Sequence, residues 1–139
     1  MATVSNMLCF TGVLLFFIGL VNGLIVPKLR SPRLGLSAHL TGVQCGTALI
    51  AIGLLWPHLS FWDGWESPLA EAIWISFYVI WLGMFLAGFW GTGKTLSIAG
   101  AGYEGKPWQE STARAVLAVG SIANLLAILA VLVQWHWAA

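Results

Sequence analysis

Several polar side chains lie close together in a segment of the sequence that is mainly apolar. The segment is residues 36–56, LSAHLTGVQCGTALIAIGLLW, and it carries His39, Thr41, Gln44 and Cys45. An ionisable side chain is costly inside an apolar helix, so it usually faces a bundle interior or a cofactor. Neutral imidazole is a common ligand for metal ions and for haem iron. His39 is therefore either such a ligand or a histidine that is hydrogen-bonded within the bundle.

Two glycines follow this histidine at helical spacing. Gly42 and Gly46 come three and seven residues after His39, which places all three on one face of a helix. Their missing side chains leave space either for a large flat ring or for the backbone of another helix. A lone histidine has no partner at i+4 to complete a site for a bare metal ion, whereas a haem needs only one such ligand.

A second group of candidates lies in residues 68–90. Glu71, Trp74, Tyr78 and Trp81 follow the spacing of one helix face, with Leu82 as the alternative to Trp81. The stripe combines a carboxylate, two indoles and a phenol, which could line a pocket for an aromatic molecule. The alternatives are a carboxylate at the helix N-terminus wetted by lipid headgroups and a tyrosine that bonds a neighbouring helix.

The remaining polar residues have simpler interpretations. Asn22 and Asn124 lie deep in apolar runs, where amides commonly form hydrogen bonds between helices, and Asn22 is also a candidate pocket residue. His58 and His136 lie beside tryptophans at expected membrane interfaces, where a solvated imidazole is inexpensive.

The composition indicates that membrane-spanning helices position these residues. The 139 residues are 59% hydrophobic and 8% charged, and their mean hydropathy is +0.87. These values are typical of an integral membrane protein. A net charge of +1 provides no basic field for nucleic acid. Cys9 and Cys45 both fall in apolar runs, so neither a disulfide framework nor a zinc site is expected.

Apolar runs and helix breakers predict four transmembrane helices. Pro27 and Pro57 end the first two, because proline cannot extend a helix. Ser67 caps the third with Pro68 in its first turn, and Ser111 begins the fourth. The predicted fold class is therefore an all-α integral membrane bundle of four transmembrane helices, with both termini on the same side. Its single membrane domain, residues 1–139, has predicted helices at 6–26, 36–56, 68–90 and 111–135.

The distribution of charge predicts an orientation. The middle loop carries Asp63 and Glu66 but no Lys or Arg, whereas the first and third loops are basic. The positive-inside rule therefore places loops one and three in the cytoplasm and both termini outside. The expected location is a bacterial cytoplasmic membrane. The basic residues are Lys28, Arg30, Arg33, Lys94, Lys106 and Arg114.

Residues 38–46, AHLTGVQCG, resemble the second-helix motif of a known family. This family comprises the small four-helix membrane isomerases that include styrene oxide isomerase and hydroxylaminobenzene mutase. Residues 23–27, GLIVP, with Arg30 and Pro32, are similar to the hydroxylaminobenzene mutase branch in particular. The resemblance covers nearly the whole chain.

The resemblance implies an activity and a cofactor. It implies an isomerase that rearranges an aryl hydroxylamine to an aminophenol, with 2-aminophenol expected, during nitroaromatic degradation. It further implies haem b at the subunit interfaces of a homotrimer, with His39 as axial ligand and ferric iron as Lewis acid. The styrene oxide isomerase branch has an asparagine that helps to handle the substrate oxygen six residues after this histidine. This chain has Cys45 there.

The same resemblance assigns expected roles to the third helix. Trp74, Tyr78 and Trp81 would offer a surface to the aromatic ring of the substrate. Tyr78 or Glu71 would manage the proton.

Other functions stay open from the sequence. An epoxide isomerase would differ only in its pocket. A haem electron carrier would need a second axial ligand from His136 or from a neighbouring subunit. A small multidrug transporter would need a carboxylate deep in the first helix, but the buried polar group of that helix is Asn22. A structural membrane subunit would leave the polar residues of the second helix unexplained.

Overall fold

Four long helices form the chain, whose computed structural model describes residues 2–137 and the side chains of residues 3–135. All four are long and apolar enough to cross a membrane, which confirms the predicted all-α membrane fold. The sides on which the loops and termini lie stay a prediction. The helices are α1 (Ala2–Ile25), α2 (Pro32–Leu55), α3 (Glu66–Trp90) and α4 (Pro107–Val133).

All four helices begin earlier than predicted, and α1 begins at Ala2 instead of residue 6. Helix α2 begins at Pro32 instead of residue 36, because the Ser31 hydroxyl accepts a hydrogen bond from the Leu34 N–H at 3.5 Å and so caps it. Helix α3 begins at Glu66 after Trp65, so Ser67 lies inside the helix and does not cap it.

Helix α4 begins at Pro107, four residues before the predicted start at Ser111. Proline suits the first position of a helix, since the N–H that it lacks would have no partner there. The Gln109 side chain also accepts a hydrogen bond from the Lys106 N–H at 2.8 Å, which closes the first turn. Because the preceding stretch is polar, the hydrophobic pattern did not indicate that α4 begins at Pro107.

The helices pack largely in chain order, and the contact between α1 and α2 is the most extensive. A Cβ atom on Gly42 would lie 2.7 Å from the Gly19 Cα, and one on Gly46 would lie 2.7 Å from the Gly12 carbonyl oxygen. A methyl group at either position would therefore force the helices apart. The expected close contacts at these glycines are confirmed.

The end of the molecule at the middle loop has its own small core. Trp56 is fully buried there and stacks on Phe61 with ring centroids 4.6 Å apart. Two short antiparallel strands close this end, β1 (Leu59–Ser60) and β2 (His136–Trp137). The Trp62 N–H donates to the Gln134 side chain at 3.2 Å, which fixes the end of α4 to the loop.

The first and third loops are joined at the opposite end. One guanidinium nitrogen of Arg30 donates to the Trp90 carbonyl and another to the Glu104 carbonyl, each at 3.0 Å. Arg30 thus caps the C-terminus of α3 and holds the third loop, residues 91–106, against the first.

Candidate functional site

His39 is oriented by the backbone of α1. Its Nδ1 lies 2.7 Å from the Gly19 carbonyl oxygen, and the ring is half-buried. A carbonyl oxygen only accepts hydrogen bonds, so Nδ1 carries the proton and donates. In the neutral ring, Nε2 therefore keeps its lone pair. No residue among those described hydrogen-bonds to Nε2.

The ring of His39 borders an apolar groove on the outside of the α1–α2 pair. A Cβ atom on Gly23 would lie 2.8 Å from Nδ1, so the imidazole occupies the space that this glycine leaves free. Leu24 is 80% exposed, and the groove opens to the surface beside it. We call this the His39 groove. It measures about 400 Å³ and is lined by Leu20, Gly23, Leu24, Val26, Pro27, Leu36 and His39.

These features fit one axial ligand of a haem. His39 offers a single nitrogen lone pair, its other nitrogen is held by a carbonyl as in many metal-binding histidines, and the surroundings are apolar. Within the described part of the chain, no group of three or more His, Cys, Asp or Glu side chains could hold a bare metal ion. The donor set therefore suits a cofactor that brings most of its own ligands.

Gly42 and Gly46 serve helix packing within the protomer. The space beside Gly46 is filled by the backbone of Gly12 and Phe16, and the space beside Gly42 by Gly19. Two uses were expected for these glycines, and the structure shows helix packing. Helix α1 occupies the space that a flat ring would need. Gly42 also faces Trp81, because a Cβ atom there would lie 3.0 Å from the indole Cδ1. Helices α1, α2 and α3 thus meet one turn away from His39.

The aromatic stripe of α3 forms a second apolar groove. The Tyr78 hydroxyl donates to the Thr11 carbonyl of α1 at 2.8 Å. The ring of Trp74 meets that of Tyr78 edge to face, with centroids 5.7 Å apart and planes at 89°. We call this the aromatic groove. It measures about 240 Å³ and is lined by Trp74, Ile75, Tyr78, Val79, Trp81 and Leu82.

Two indole N–H groups at this groove have no partner within the described part of the chain. The Nε1 atoms of Trp74 and Trp81 are buried, and no hydrogen-bond acceptor among the described residues reaches either of them. A buried donor without a partner is uncommon, because it costs about 1–3 kcal/mol. Such donors are available to an oxygen or nitrogen atom of a bound molecule.

Three other candidates do not line the aromatic groove. Glu71 is exposed near the start of α3 and does not line it. Asn22 is 2% exposed inside the α1–α2 contact and donates to the Gly35 carbonyl at 3.3 Å. Cys45 is a buried free thiol of the core. The structure thus brings Trp74, Tyr78 and Trp81 together in one groove, and none of the other three lines it.

The carbonyl groups that orient the site could not be predicted from the sequence. Thr11 and Gly19 contribute only backbone oxygens, for which no side chain gives a signal. Gly23 belongs to the segment GLIVP noted in the sequence, but its contact with His39 had no signal there. The expected role of His136 falls outside the described side chains.

The family model of styrene oxide isomerase matches residues 4–136. The chain belongs to the styrene oxide isomerase family. This membership confirms the resemblance found in residues 38–46 and makes the protein a membrane-embedded isomerase.

Two curated relatives carry more specific names. The chain is 40% identical to hydroxylaminobenzene mutase HabB of Ectopseudomonas oleovorans over 110 residues, which are 78% of this chain and 67% of the relative. It is 42% identical to hydroxylaminobenzene mutase HabA of the same organism over 92 residues, which are 66% of this chain and 68% of the relative. No solved structure matches the chain significantly.

Proposed function

We propose that this family member is a mutase that rearranges an aryl hydroxylamine, with hydroxylaminobenzene as the model substrate, to 2-aminophenol. The observation that carries the proposal is its identity of 40% and 42% to two relatives with that name. The enzyme would work in the cytoplasmic membrane of a bacterium that degrades nitroaromatic compounds.

The proposed reaction is an isomerisation without an external oxidant or reductant. The N–O bond of the hydroxylamine breaks and a C–O bond forms at the ortho carbon of the ring. That carbon then loses its proton, and the nitrogen gains one, so the atoms and electrons balance. Water must be kept from the electron-poor ring, because it would compete with the returning oxygen.

His39 is the residue that would hold haem b, through Nε2. The Gly19 carbonyl would keep the imidazole in the required tautomer. When bound, ferric haem supplies a Lewis acid that polarises the N–O bond.

The aromatic groove would supply the contacts to the substrate. Trp74 and Trp81 offer apolar faces for the ring and unpaired N–H groups for a substrate heteroatom. The Tyr78 hydroxyl already donates its proton to the Thr11 carbonyl. The Tyr78 oxygen would therefore accept a hydrogen bond from the hydroxylamine group and fix the position of that group. We assign the proton-handling role to Tyr78 over Glu71, which does not line this groove.

A homotrimer would complete both grooves. Each of them opens on the outside of the protomer, and large apolar side chains of α1 stand exposed beside the His39 groove, such as Leu20 and Leu24 at 45% and 80%. A neighbouring copy would cover this surface and exclude water from the reacting groups.

The deciding experiment is an assay on the detergent-purified protein. We expect conversion of hydroxylaminobenzene to 2-aminophenol, measured by chromatography. We also expect a Soret band in the visible spectrum of the same preparation. A preparation that carries haem but leaves hydroxylaminobenzene unchanged would refute the mutase proposal. A preparation that turns over the substrate without haem would refute the cofactor.

The second candidate is an epoxide isomerase, which the name of the matching family favours. Incubation of the same preparation with styrene oxide and hydroxylaminobenzene in parallel separates the two. Preference for styrene oxide would replace the mutase proposal with this one.

A further inference from the structure

The third loop is held in one conformation by the carboxylate of Glu110. Its Oε1 accepts hydrogen bonds from the Lys94 N–H at 3.3 Å and the Gly105 N–H at 3.0 Å. Its Oε2 accepts from the N–H and the hydroxyl of Thr95 at 2.8 and 2.7 Å. Hydrogen bonds to a charged acceptor are stronger than neutral ones, so both ends of the loop are fixed to the first turn of α4.

This fixed loop presents an apolar tip. Residues 95–103 contain no charged side chain. Leu96 and Ala99 pack inward against the buried cluster around Ala87, whereas Ile98 points outward and is 94% exposed. Transfer of an isoleucine side chain from water into an apolar medium is favourable, so insertion of Ile98 into a lipid layer would stabilise this position.

The base of the loop carries markers of the membrane interface. It connects the end of α3 to the start of α4, and both helices are able to span the membrane. The rings of Trp90 and Trp108 meet there with centroids 5.1 Å apart, and Trp108 is 56% exposed. Tryptophan is enriched where lipid headgroups meet the acyl region, so the loop tip lies within reach of lipid.

The charge at this end complements an anionic lipid surface. All six Lys and Arg residues of the chain lie in the first loop, in the third loop or in the adjacent turns of α2 and α4. Of the two carboxylates here, Glu104 pairs with Lys94 and Glu110 is occupied by the loop. The other end carries Asp63, Glu66 and Glu71 without any Lys or Arg.

We propose that the third loop is an anchor for anionic phospholipid, in which Ile98 inserts among the acyl chains while the surrounding basic residues bind the headgroups. The partner is the membrane around the protein. The anchor would fix the depth of the ends of α3 and α4, independently of the reaction that the isomerase performs.

The test replaces Ile98 with the photo-crosslinker p-benzoylphenylalanine in the full chain. The protein is placed in nanodiscs that contain equal amounts of phosphatidylglycerol and phosphatidylcholine. After illumination, its mass is measured by intact mass spectrometry. We expect an adduct with one phospholipid and about fivefold more phosphatidylglycerol than phosphatidylcholine, which is the enrichment that one basic residue gives near an anionic surface. The matched control carries the crosslinker at Trp62, which is 56% exposed at the acidic end. It should show no preference for phosphatidylglycerol.

A second variant isolates the role of charge. Lys28→Gln with Arg33→Gln removes two exposed charges at this end, and we expect the preference at position 98 to fall towards that of the control. A covalent dimer would show that Ile98 contacts a second copy, and the absence of an adduct would show that it faces water. Either result, or equal labelling of the two lipids at position 98, would overturn the proposal.

Discussion

The Nδ1 atom of His39 on α2 lies 2.7 Å from the carbonyl oxygen of Gly19 on α1. This contact fixes the tautomer and the direction of the imidazole. It also explains the glycine at position 23, where a side chain would collide with the ring. The site therefore depends on the α1–α2 contact as much as on the histidine itself.

Replacement of His39 by Ala should abolish both pigment and turnover. Loss of the only proposed axial ligand removes the haem, so we expect the Soret band to disappear and turnover of hydroxylaminobenzene to fall by about 100-fold or more. His58→Ala is the matched control, because His58 is exposed at the other end of the molecule and should affect neither quantity. Retention of pigment and turnover in His39→Ala would remove His39 from the mechanism.

Gly23→Ala should displace the imidazole without removing it. The new methyl group would lie 2.8 Å from Nδ1, so the ring must rotate and lose its bond to Gly19. We expect haem affinity, measured by titration of the apoprotein, to fall about 10- to 100-fold. Gly83→Ala also introduces a methyl group into a close helix contact, at Leu117, but should leave haem affinity unchanged. Equal losses in both variants would indicate a general packing defect.

Tyr78→Phe should reduce turnover more than stability. The lost hydrogen bond to Thr11 costs about 0.5–1.5 kcal/mol, whereas loss of the oxygen that handles the proton should lower turnover by about 100-fold. The other tyrosine provides the control, since Tyr103 is exposed in the third loop and Tyr103→Phe should keep full turnover. Thermal unfolding in detergent and the rate of 2-aminophenol formation are measured on the same samples. A Tyr78→Phe variant with normal turnover would exclude the proposed role.

Glu110→Gln should loosen the third loop. The amide nitrogen of Gln would face backbone N–H groups that now donate to a carboxylate, and we expect a loss of about 1.5–3 kcal/mol in the free energy of loop opening. Trypsin should then cut faster after Lys94. Glu104→Gln removes only the exposed pair with Lys94, and such pairs contribute little, so its cutting rate should stay close to that of the unaltered protein. Similar cutting rates in the two variants would contradict the role of Glu110 in holding the third loop.

Composition and helix breakers predicted most of the fold. Four apolar runs gave four helices, and the C-terminal ends of α1, α2 and α3 fall within one residue of the prediction. The start of α4 was wrong because Pro107 and Gln109 act through backbone geometry inside a polar stretch. The motif around His39 was enough to suggest the family that the comparison of residues 4–136 then showed.

The candidate site was only half predictable. The spacing of Trp74, Tyr78 and Trp81 placed them on one face, and they do line one groove. The same spacing included Glu71, which lies outside that groove. Helical periodicity shows which residues share a face, but a stripe can run beyond the groove that part of it lines.

The sequence by itself determined that this chain is a four-helix membrane protein with one histidine in its second span. Those properties follow from hydropathy, chain length and residue type, which act locally. Only the tertiary structure decided that α1 occupies the space beside Gly42 and Gly46 and that its carbonyl groups orient His39 and Tyr78. The physical reason is that membrane helices are apolar towards lipid and towards protein alike, so their pattern does not tell which neighbour each face meets.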